Sequence, residues 1–499
     1  MLRITIDNRQ IDMPRGATIL DAAERLGIEI PSLCFLKECK PSASCLVCVV
    51  KDVATARLVP SCATEVVDGM VVESDTDAVR DARQTSLELL LSEHVGDCIA
   101  PCQFGCPTMM DIPRMLREIR TGDFGAAIAT VKKDIALPAV LGRVCSAPCE
   151  KVCRRKDLDA AVEICRLKRL VADKDLASAS PYSPDCKPDS GKRVAIVGAG
   201  PTGLAAAYYL AQHGHGVVVF DFQDKVGGRL RDFVSSGRLS EVVLDSEVTT
   251  IGCLGVAFVL KTRVGSYAEL LKGAEVVLLA SGSADVLAWG LEVGERGIKV
   301  DLKTFRTNKP GVFAAGNAIR RTGAIVRSVA DGKFVAESIH SFLTNEEDFA
   351  GEKRPFSTKI GPMTHSELLQ LAGQATESEA DFGAGKCLRC DCRGLRDCKL
   401  RRYAVQYNAN VSRCLSKRRE FQIATWNGRL VFEPGKCIYC GLCVEIAAEA
   451  GEALGMAFVG RGFDIRVTVP FGKPLEESLT ITAKRCVESC PTAALSIQD

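Results

Sequence analysis

Arg193-Val-Ala-Ile-Val-Gly198-Ala-Gly200-Pro201-Thr-Gly203-Leu-Ala-Ala-Ala207 decides the fold of the central part of this chain. An apolar run, a glycine turn and an alanine-rich run predict strand, tight turn and helix. Gly198 permits the turn, Gly200 lets backbone approach a pyrophosphate, and Gly203 lets helix and strand pack closely. The helix N-terminus then faces the anion, with Pro201 in the same contact set. Gly216 to Phe220 is a second strand, and Asp221 at its end is placed to accept from a ribose hydroxyl. A lone glycine fingerprint says little, but the strand–turn–helix–strand–acid context specifies a Rossmann-like nucleotide-binding unit.

Cysteine dominates the sequence on both sides of this unit. There are 24 in 499 residues, most of them in tight runs. No secretory signal is read ahead of them, because Met1-Leu-Arg-Ile-Thr-Ile6 alternates like a strand, and no stretch has the apolar length of a membrane span. A cytoplasmic location is therefore expected, where such runs are metal or catalytic sites rather than disulfides. Thiolates gathered in threes and fours suit iron–sulfur clusters. At 47% hydrophobic and 25% charged the chain can bury several cores, which its length divides among three or four domains. A net charge of +2 and 6% aromatic content give no reason to expect nucleic acid or an anionic membrane as partner.

Residues 1–76 alternate like short strands (Leu2 to Ile6, Val47 to Lys51, Met70 to Glu73) around a helix from Thr18 to Gly27, and carry Cys34-x10-Cys45-x2-Cys48-x13-Cys62. The long gap lets a loop wrap a cluster, the close pair supplies two thiolates from one turn, and Cys62 returns from a later segment. Zinc fits less well, since its sites usually use two close pairs. With Arg57-Leu-Val-Pro-Ser-Cys62-Ala-Thr64, the segment resembles the [2Fe–2S] ferredoxin domain of the large iron–sulfur subunit of complex I and of related hydrogenases. That resemblance implies a β-grasp fold with Cys34, Cys45, Cys48 and Cys62 as ligands; Cys39 is a spare thiol.

Residues 77–177 read as helical, with a helix from Thr85 to His94 and apolar spacing over Met115 to Arg120 and Phe124 to Lys132. Two further motifs lie here, Cys98-x3-Cys102-x3-Cys106-Pro107 and Cys145-x3-Cys149-x3-Cys153, followed by Cys165. The region, above all Gly142-Arg-Val-Cys145-Ser-Ala-Pro-Cys149-Glu150, resembles the N-terminal domain of the glutamate synthase small subunit and of dihydropyrimidine dehydrogenase. The resemblance implies two [4Fe–4S] clusters with interleaved ligands: Cys98, Cys102 and Cys153 for one, Cys106, Cys145 and Cys149 for the other. The family's first cysteine is missing, and His94 stands near its place in a His94-x3-Cys98 spacing that also resembles a His-ligated site of complex I. Lys168 replaces the family's acidic or amide ligand and cannot bind iron while protonated. Cys165, three residues earlier and on the same helical face, is the candidate for the vacancy. A solvated helix-end histidine and a small buried cysteine are the respective alternatives.

Ser178 to Gly191 reads as a linker, and residues 192–345 as the nucleotide domain. Lys225-Val-Gly-Gly228-Arg229-Leu230 and Pro310-Gly-Val-Phe-Ala-Ala-Gly316-Asn317 resemble the FAD segments of the glutamate synthase small subunit, although the second usually ends in aspartate. The resemblance implies FAD and a terminal helix from Ala318 to Leu343. In that family a separate NADPH-binding domain lies between the two halves. Here only Ser283 to Pro310 separates them, less than the roughly 30 residues of one βαβ unit.

A polar connector, Asn345 to Gly385, leads to Cys387-x2-Cys390-x-Cys392-x5-Cys398 in residues 386–420. This compact set suits a further [4Fe–4S] cluster or a structural zinc, with Cys414 available as a replacement ligand, amid Arg389, Arg393, Arg396, Arg401 and Arg402. Residues 421–499 carry Cys437-x2-Cys440-x2-Cys443 and a distant Cys490-Pro491. With Gly460-Arg-Gly-Phe463 and Pro470 to Leu479 they resemble a [4Fe–4S] domain of the complex I iron–sulfur subunit. A two-cluster ferredoxin is the competing reading. Cys486 is not a ligand, and Cys186 in the linker and Cys253 in an apolar strand are structural.

The expected fold is thus multidomain α/β and α+β: a β-grasp [2Fe–2S] domain, a helical two-cluster domain, a Rossmann-like FAD domain and a C-terminal ferredoxin-like [4Fe–4S] domain. The expected cofactors are FAD, one [2Fe–2S] cluster and three to four [4Fe–4S] clusters. No substrate-converting site is read, and His213, His215, His340 and His365 are scattered. The expected function is an electron-transfer subunit of a larger cytoplasmic oxidoreductase. Its partners would be an FMN/NAD-type dehydrogenase subunit or a ferredoxin, and a catalytic formate-, aldehyde- or hydrogen-converting subunit. A self-sufficient NAD(P)H-dependent reductase and a non-catalytic cluster scaffold are the alternatives. The two terminal domains are expected to offer separate surfaces for electron uptake and exit.

Overall fold

Leu2–Ile6 alternates, and Ile4 and Ile6 are accordingly buried on one face of a five-stranded sheet. Leu2–Ile6 pairs antiparallel with Arg9–Met13 and parallel with Met70–Glu73. Met70–Glu73 pairs antiparallel with Val49–Asp52, which closes the sheet against Leu58–Pro60. Thr18 caps the helix Ile19–Arg25: its hydroxyl accepts from the Asp21 amide at 3.2 Å while the Asp21 carboxylate accepts from the Thr18 amide at 2.9 Å. Ile19, Ala22 and Ala23 then fill the core over Ile4, Val50 and Val72, giving the expected β-grasp.

This is a computed structural model that describes residues 1–282, 289–320, 323–345, 355–373, 382–414, 418–426 and 429–497. The chain falls into two units, the first built from Met1–Ala100, Phe356–Gln374 and Cys390–Asp499. Besides the β-grasp it contains the helix Asp77–Ser92, which starts well before the expected Thr85 because Thr76 caps a polar first half. From this helix Arg83 donates to Tyr407 Oη and to the Val49 carbonyl, both at 2.8 Å, and Glu88 accepts from Arg413 at 2.8 Å. The connector is not merely polar: a Thr364–Glu367 capping box starts the helix His365–Ala372, which buries Leu368 and Leu371. Ala424–Trp426, Leu430–Phe432 and Leu495–Ile497 form an antiparallel sheet beside the helices Leu442–Glu449 and Ala483–Ser489.

The second unit joins Pro101–Pro355 and Ala375–Arg389. Its helical part contains Ile112–Arg120, Phe124–Asp134, Pro138–Val144 and Ile164–Leu176. Its parallel sheet runs in the order Val312–Ala314, Val276–Leu279, Arg193–Val197, Gly216–Phe220, Ala257–Val259. The helices Pro201–Gln212 and Ile325–Thr344 cross over it, and Gly332 allows their contact, since a Cβ there would lie 2.7 Å from that of Ala205. Ser178 to Gly191 has no helix or strand, as expected of a linker. Cys253, by contrast, ends the helix Glu241–Cys253 and is exposed, so the apolar-strand reading fails. The buried positions Leu244, Glu247 and Ile251 of that helix are spaced by three and four. Cys186 is exposed as well.

Glu247 ties the two parts of this unit together. Its carboxylate accepts from the amides of Ala139 at 2.7 Å and Val140 at 2.9 Å, at the start of the helix Pro138–Val144. Burial lifts this carboxyl to about 7, against the opposing pull of the two amide bonds. Glu247→Ala should strand two buried donors and cost about 2–4 kcal/mol, read as a lower midpoint of chemical denaturation.

Candidate functional site

Four buried thiols meet under the β-grasp sheet. Cys34 and Cys45 come from the loop after the first helix, with sulfurs 3.4 Å apart, and Cys48 precedes the strand Val49–Asp52. Cys62 follows Leu58–Pro60, and its thiol contacts both Cys34 and Cys48. Hydrogen bonds from Cys45 and then Cys62 push Cys34 far below the ordinary thiol value, and one from Cys62 holds Cys48 at about 7. The same contacts raise Cys45 and Cys62, so the four thiols form one coupled group in which protons are shared between neighbours. Four buried thiols in mutual contact fit a [2Fe–2S] cluster held by cysteine. Cys39 stands apart, buried, with its sulfur 3.7 Å from Glu449 Oε2.

A second set assembles where four helices meet. Cys106 follows the helix Pro101–Gly105, Cys145 caps Pro138–Val144, and Cys149 lies in Pro148–Lys151. Cys165, at the start of Ile164–Leu176, contacts both Cys145 and Cys149. The sequence reading passed over the two glycines that bring these helices together. A Cβ at Gly105 would meet Val152, and one at Gly142 would lie 2.8 Å from Arg169 Cα. Lys168, one turn beyond Cys165, is 3% exposed, with Nζ 4.0 Å from the Cys165 sulfur. Burial alone would lower its pKa, but the field of Cys165, Cys145, Cys106 and Cys149 outweighs burial and raises it.

Cys98 lies in the first unit, whereas Cys102 and Cys153 lie in the second. The same holds for Cys387 against Cys390, Cys392 and Cys398. Within the first unit, the Cys98 sulfur is 3.3 Å from Thr358 Oγ1, and the Cys98 carbonyl accepts from the Cys392 amide at 3.2 Å. Lys436, buried and paired with Glu433 at 2.6 Å, places Nζ 3.8 Å from the Cys392 sulfur. Burial and then the charge of Lys436 push His94 down to about 3, so its imidazole is neutral. His94 is only partly buried as a residue, but its Nδ1 is sealed from solvent and has no hydrogen-bond partner. A solvated helix-end histidine does not look like this; an orphaned, neutral ring nitrogen fits a metal ligand. The Cys398 sulfur accepts from the Arg401 amide at 3.4 Å, capping the helix Lys399–Gln406.

Cys437, Cys440 and Cys443 lie on the turn into Leu442–Glu449, and Cys490 ends Ala483–Ser489. Burial raises Cys437 to about 12, and the mutual field of Cys440, Cys437 and Cys490 adds to the burial that raises Cys443. Cys486 is buried nearby, its sulfur 3.8 Å from the Cys443 carbonyl. Ser42 donates to the Cys440 carbonyl at 3.1 Å, and Cys34, Cys45 and Cys440 share one apolar cluster with Leu33, Ile438 and Leu442. The terminal thiol sets therefore lie in one unit, linked by Ser42 and this apolar cluster.

A cavity of about 1230 Å³ opens over the ends of the parallel strands. Gly198, Gly200, Pro201, Asp221, Gly228, Arg229 and Asn317 line it, together with Thr202, Arg263 and Trp289, which the sequence reading did not single out. Gly198 has φ +111°, and a Cβ there would lie 2.9 Å from the Ser281 amide nitrogen. Gly203 and Gly316 are close-approach positions instead: a Cβ would collide with the Gly198 carbonyl at the first and the Thr202 hydroxyl at the second. Asp221 already accepts from the amides of Ala199 at 2.6 Å and Gln223 at 2.9 Å, so it braces the glycine turn while its further lone pairs remain for a ligand hydroxyl. The cavity's strand-end position, glycine turn and helix N-terminus fit a dinucleotide. Among the described residues, Ser283 to Pro310 contributes only a hairpin of Val293–Gly294 and Gly297–Ile298.

Fold and sites together define a multidomain iron–sulfur protein with a Rossmann-like nucleotide fold. Residues 1–77 match the family model of a 2Fe-2S iron-sulfur cluster binding domain, 92–180 that of dihydropyrimidine dehydrogenase domain II, 4Fe-4S cluster, and 196–255 that of an NAD(P)-binding Rossmann-like domain. The NADPH-Fe(3+) oxidoreductase subunit beta of Geobacter sulfurreducens is 36% identical over 211 residues, 41% of this chain and 31% of the relative. The NADP(+)-dependent formate dehydrogenase subunit beta of Moorella thermoacetica is 37% identical over 207 residues, 37% of this chain and 29% of the relative. An NADH-quinone oxidoreductase subunit of Rhizobium meliloti is 45% identical over 98 residues, 20% of this chain and 12% of the relative. The chain spans about a third of the length of the first two relatives. The relation to complex I is partial, since that match is shorter than the two ends read as similar to it. No described helix is long and apolar enough to cross a membrane.

Gly203→Ala should force the glycine turn away from its helix. The expected result is a loss of about 1–3 kcal/mol in stability and of nucleotide released from the purified chain, measured by denaturation and by chromatography of the supernatant.

Proposed function

We propose that this chain is an FAD- and iron–sulfur-containing electron-transfer subunit of a larger cytoplasmic oxidoreductase. The observation that carries the reading is the combination of buried thiol sets and a dinucleotide-shaped cavity in one chain. Cys34, Cys45, Cys48 and Cys62 would hold the [2Fe–2S] cluster. His94, Cys98, Cys102 and Cys153 would hold one cubane, Cys106, Cys145, Cys149 and Cys165 a second, and Cys437, Cys440, Cys443 and Cys490 a third. Cys387, Cys390, Cys392 and Cys398 would hold a fourth cubane, or a structural zinc. When bound, the clusters carry single electrons and the flavin exchanges electrons with them.

The residues of the chain bind, insulate and tune. The glycine turn and the N-terminus of Pro201–Gln212 receive a pyrophosphate, Asp221 holds that turn in place, and apolar packing keeps water from the thiol sets. The domain boundaries that go with this reading are 1–76, 77–177, 192–345, 386–420 and 421–499. Relatives named as beta subunits of an NADPH-Fe(3+) oxidoreductase and a formate dehydrogenase support the class of partner. One side would be an FMN/NAD-type dehydrogenase subunit or a ferredoxin, the other a formate-, aldehyde- or hydrogen-converting subunit.

A second reading, a reductase that takes NAD(P)H directly, is favoured by the NAD(P)-binding description of the model matched at 196–255. Against it stands the chain between the paired strands Val276–Leu279 and Val312–Ala314, which is too short for a second βαβ nucleotide-binding domain. Anaerobic mixing decides between the two. The isolated chain, with one FAD and about 14 iron atoms, or about 18 if the Cys387 set holds a cubane, should be bleached by dithionite and left unchanged by NADH or NADPH. Rapid bleaching by either nucleotide would establish the reductase instead.

His94 offers a ligand-level check. His94→Cys should keep the iron and lower that centre's midpoint, because an anionic thiolate replaces a neutral imidazole. An unchanged spectrum and potential in His94→Ala would remove His94 from the ligand set.

A further inference from the structure

We propose that Lys168 is a buried cation that sets the reduction potential of the site formed by Cys106, Cys145, Cys149 and Cys165, favouring its reduced form. The inference rests on the reading that this set holds a [4Fe–4S] cluster, and it concerns a residue that is not a ligand.

The helix Ile164–Leu176 presents Cys165 and Lys168 one turn apart on one face. Lys168 is 3% exposed, and among the described residues the Cys165 sulfur, at 4.0 Å, is the only hydrogen-bond partner of its Nζ. The other two buried lysines among the described residues behave differently, since Lys132 pairs with Asp175 at 2.7 Å and Lys436 with Glu433 at 2.6 Å. An ammonium taken out of water needs opposite charge close by. Among the described residues, those around Lys168 supply four thiols and no ion-paired carboxylate.

Neutral thiols do not balance that charge, whereas thiolates around iron do. Their assembly is anionic and becomes more so when one electron is added. The attraction of a fixed positive charge grows with the charge it faces, so Lys168 stabilises the reduced state more than the oxidised one. Its N–H aimed at sulfur acts in the same direction, hydrogen bonds to cluster sulfurs being one of the levers on potential. Lys168 makes and breaks no bond in the process and keeps its proton, while the electron comes from the donor, which is dithionite in the test.

The test is an anaerobic redox titration of the full chain followed by electron paramagnetic resonance, on wild type, Lys168→Met, Lys168→Ala and Lys168→Arg. Cys145→Ala identifies the centre as the signal it removes. The neutral variants should keep their iron, and at the wild-type midpoint their oxidised-to-reduced ratio should rise about tenfold, a downward shift of about 59 mV for one electron. Lys168→Arg, which keeps the charge, should stay near wild type. A neutral variant with full iron and an unmoved midpoint would overturn the proposal. So would loss of iron in the neutral variants, which would make Lys168 an assembly residue. If Cys145→Ala removes neither signal nor iron, the cubane reading itself fails, and the proposal falls with it.

Discussion

Charge buried beside sulfur is the constraint on which both units depend. Lys168 in one and Lys436 in the other each place an ammonium within 4.0 Å of a thiol read as a ligand. In a low-dielectric interior such charges persist only in balance, and the two lysines reach it by different routes. Lys436 is held by Glu433, which Arg393 also approaches at 3.4 Å, so the ammonium beside Cys392 has a carboxylate of its own. Among the described residues, Lys168 has only the sulfurs. The packing follows from this arrangement: a Cβ at Gly96 would lie 2.8 Å from Lys436 Cε, and Gly142 lets the helix bearing Lys168 close on its neighbour. Small residues stand where a charged side chain or a helix must come close.

The second organising feature is a contact of high sequence separation. Ser42 reaches the Cys440 carbonyl, and one apolar cluster contains sulfurs from both ends of the chain. Under the proposed function, the terminal clusters would then be adjacent stations rather than opposite poles, and the direction of the relay would be set by potentials rather than by the order of domains along the sequence. Potential-setting groups such as a buried lysine carry more weight in that arrangement, because neighbouring centres differ little in position and much in environment.

Much of this was legible in the sequence, and what escaped it has a common physical cause. Period-two alternation in Leu2–Ile6 gave short strands around a helix, which the resemblance to a [2Fe–2S] ferredoxin domain turned into a β-grasp; the Rossmann unit followed from a glycine turn between strand and helix, a local signal. Cys165 was singled out because it shares a helical face with Lys168, which stands where the resembled family has a ligand, and the structure sets it against Cys145 and Cys149. The first half of Asp77–Ser92 was missed because polar residues carry no hydrophobic period, and Cys253 was put in a strand although it ends the helix Glu241–Cys253, just before the strand Ala257–Val259. The helix-packing glycines Gly105, Gly142 and Gly332, the Ser42–Cys440 contact and the burial of Lys168 and Lys436 depend on partners far along the chain. No single-sequence pattern encodes them.

The nucleotide cavity shows how local and distant requirements combine. Lys225 is already paired with Glu241, and Arg231 with Glu241 and Asp245, so these basic groups on its rim serve the fold. The positive end that a pyrophosphate would meet at Gly200 is the N-terminus of the helix Pro201–Gln212, and that end is usable only where backbone can approach without a side chain. Asp221 then matters less as a free charge than as the brace that holds the Ala199 amide and hence the turn. Asn317, uncharged where an acid is expected, stands against Gly282 at the other wall. Recognition of an anionic dinucleotide here rests on backbone geometry, which explains why the glycines were the most legible part of the sequence and why the charged residues around them were the least informative.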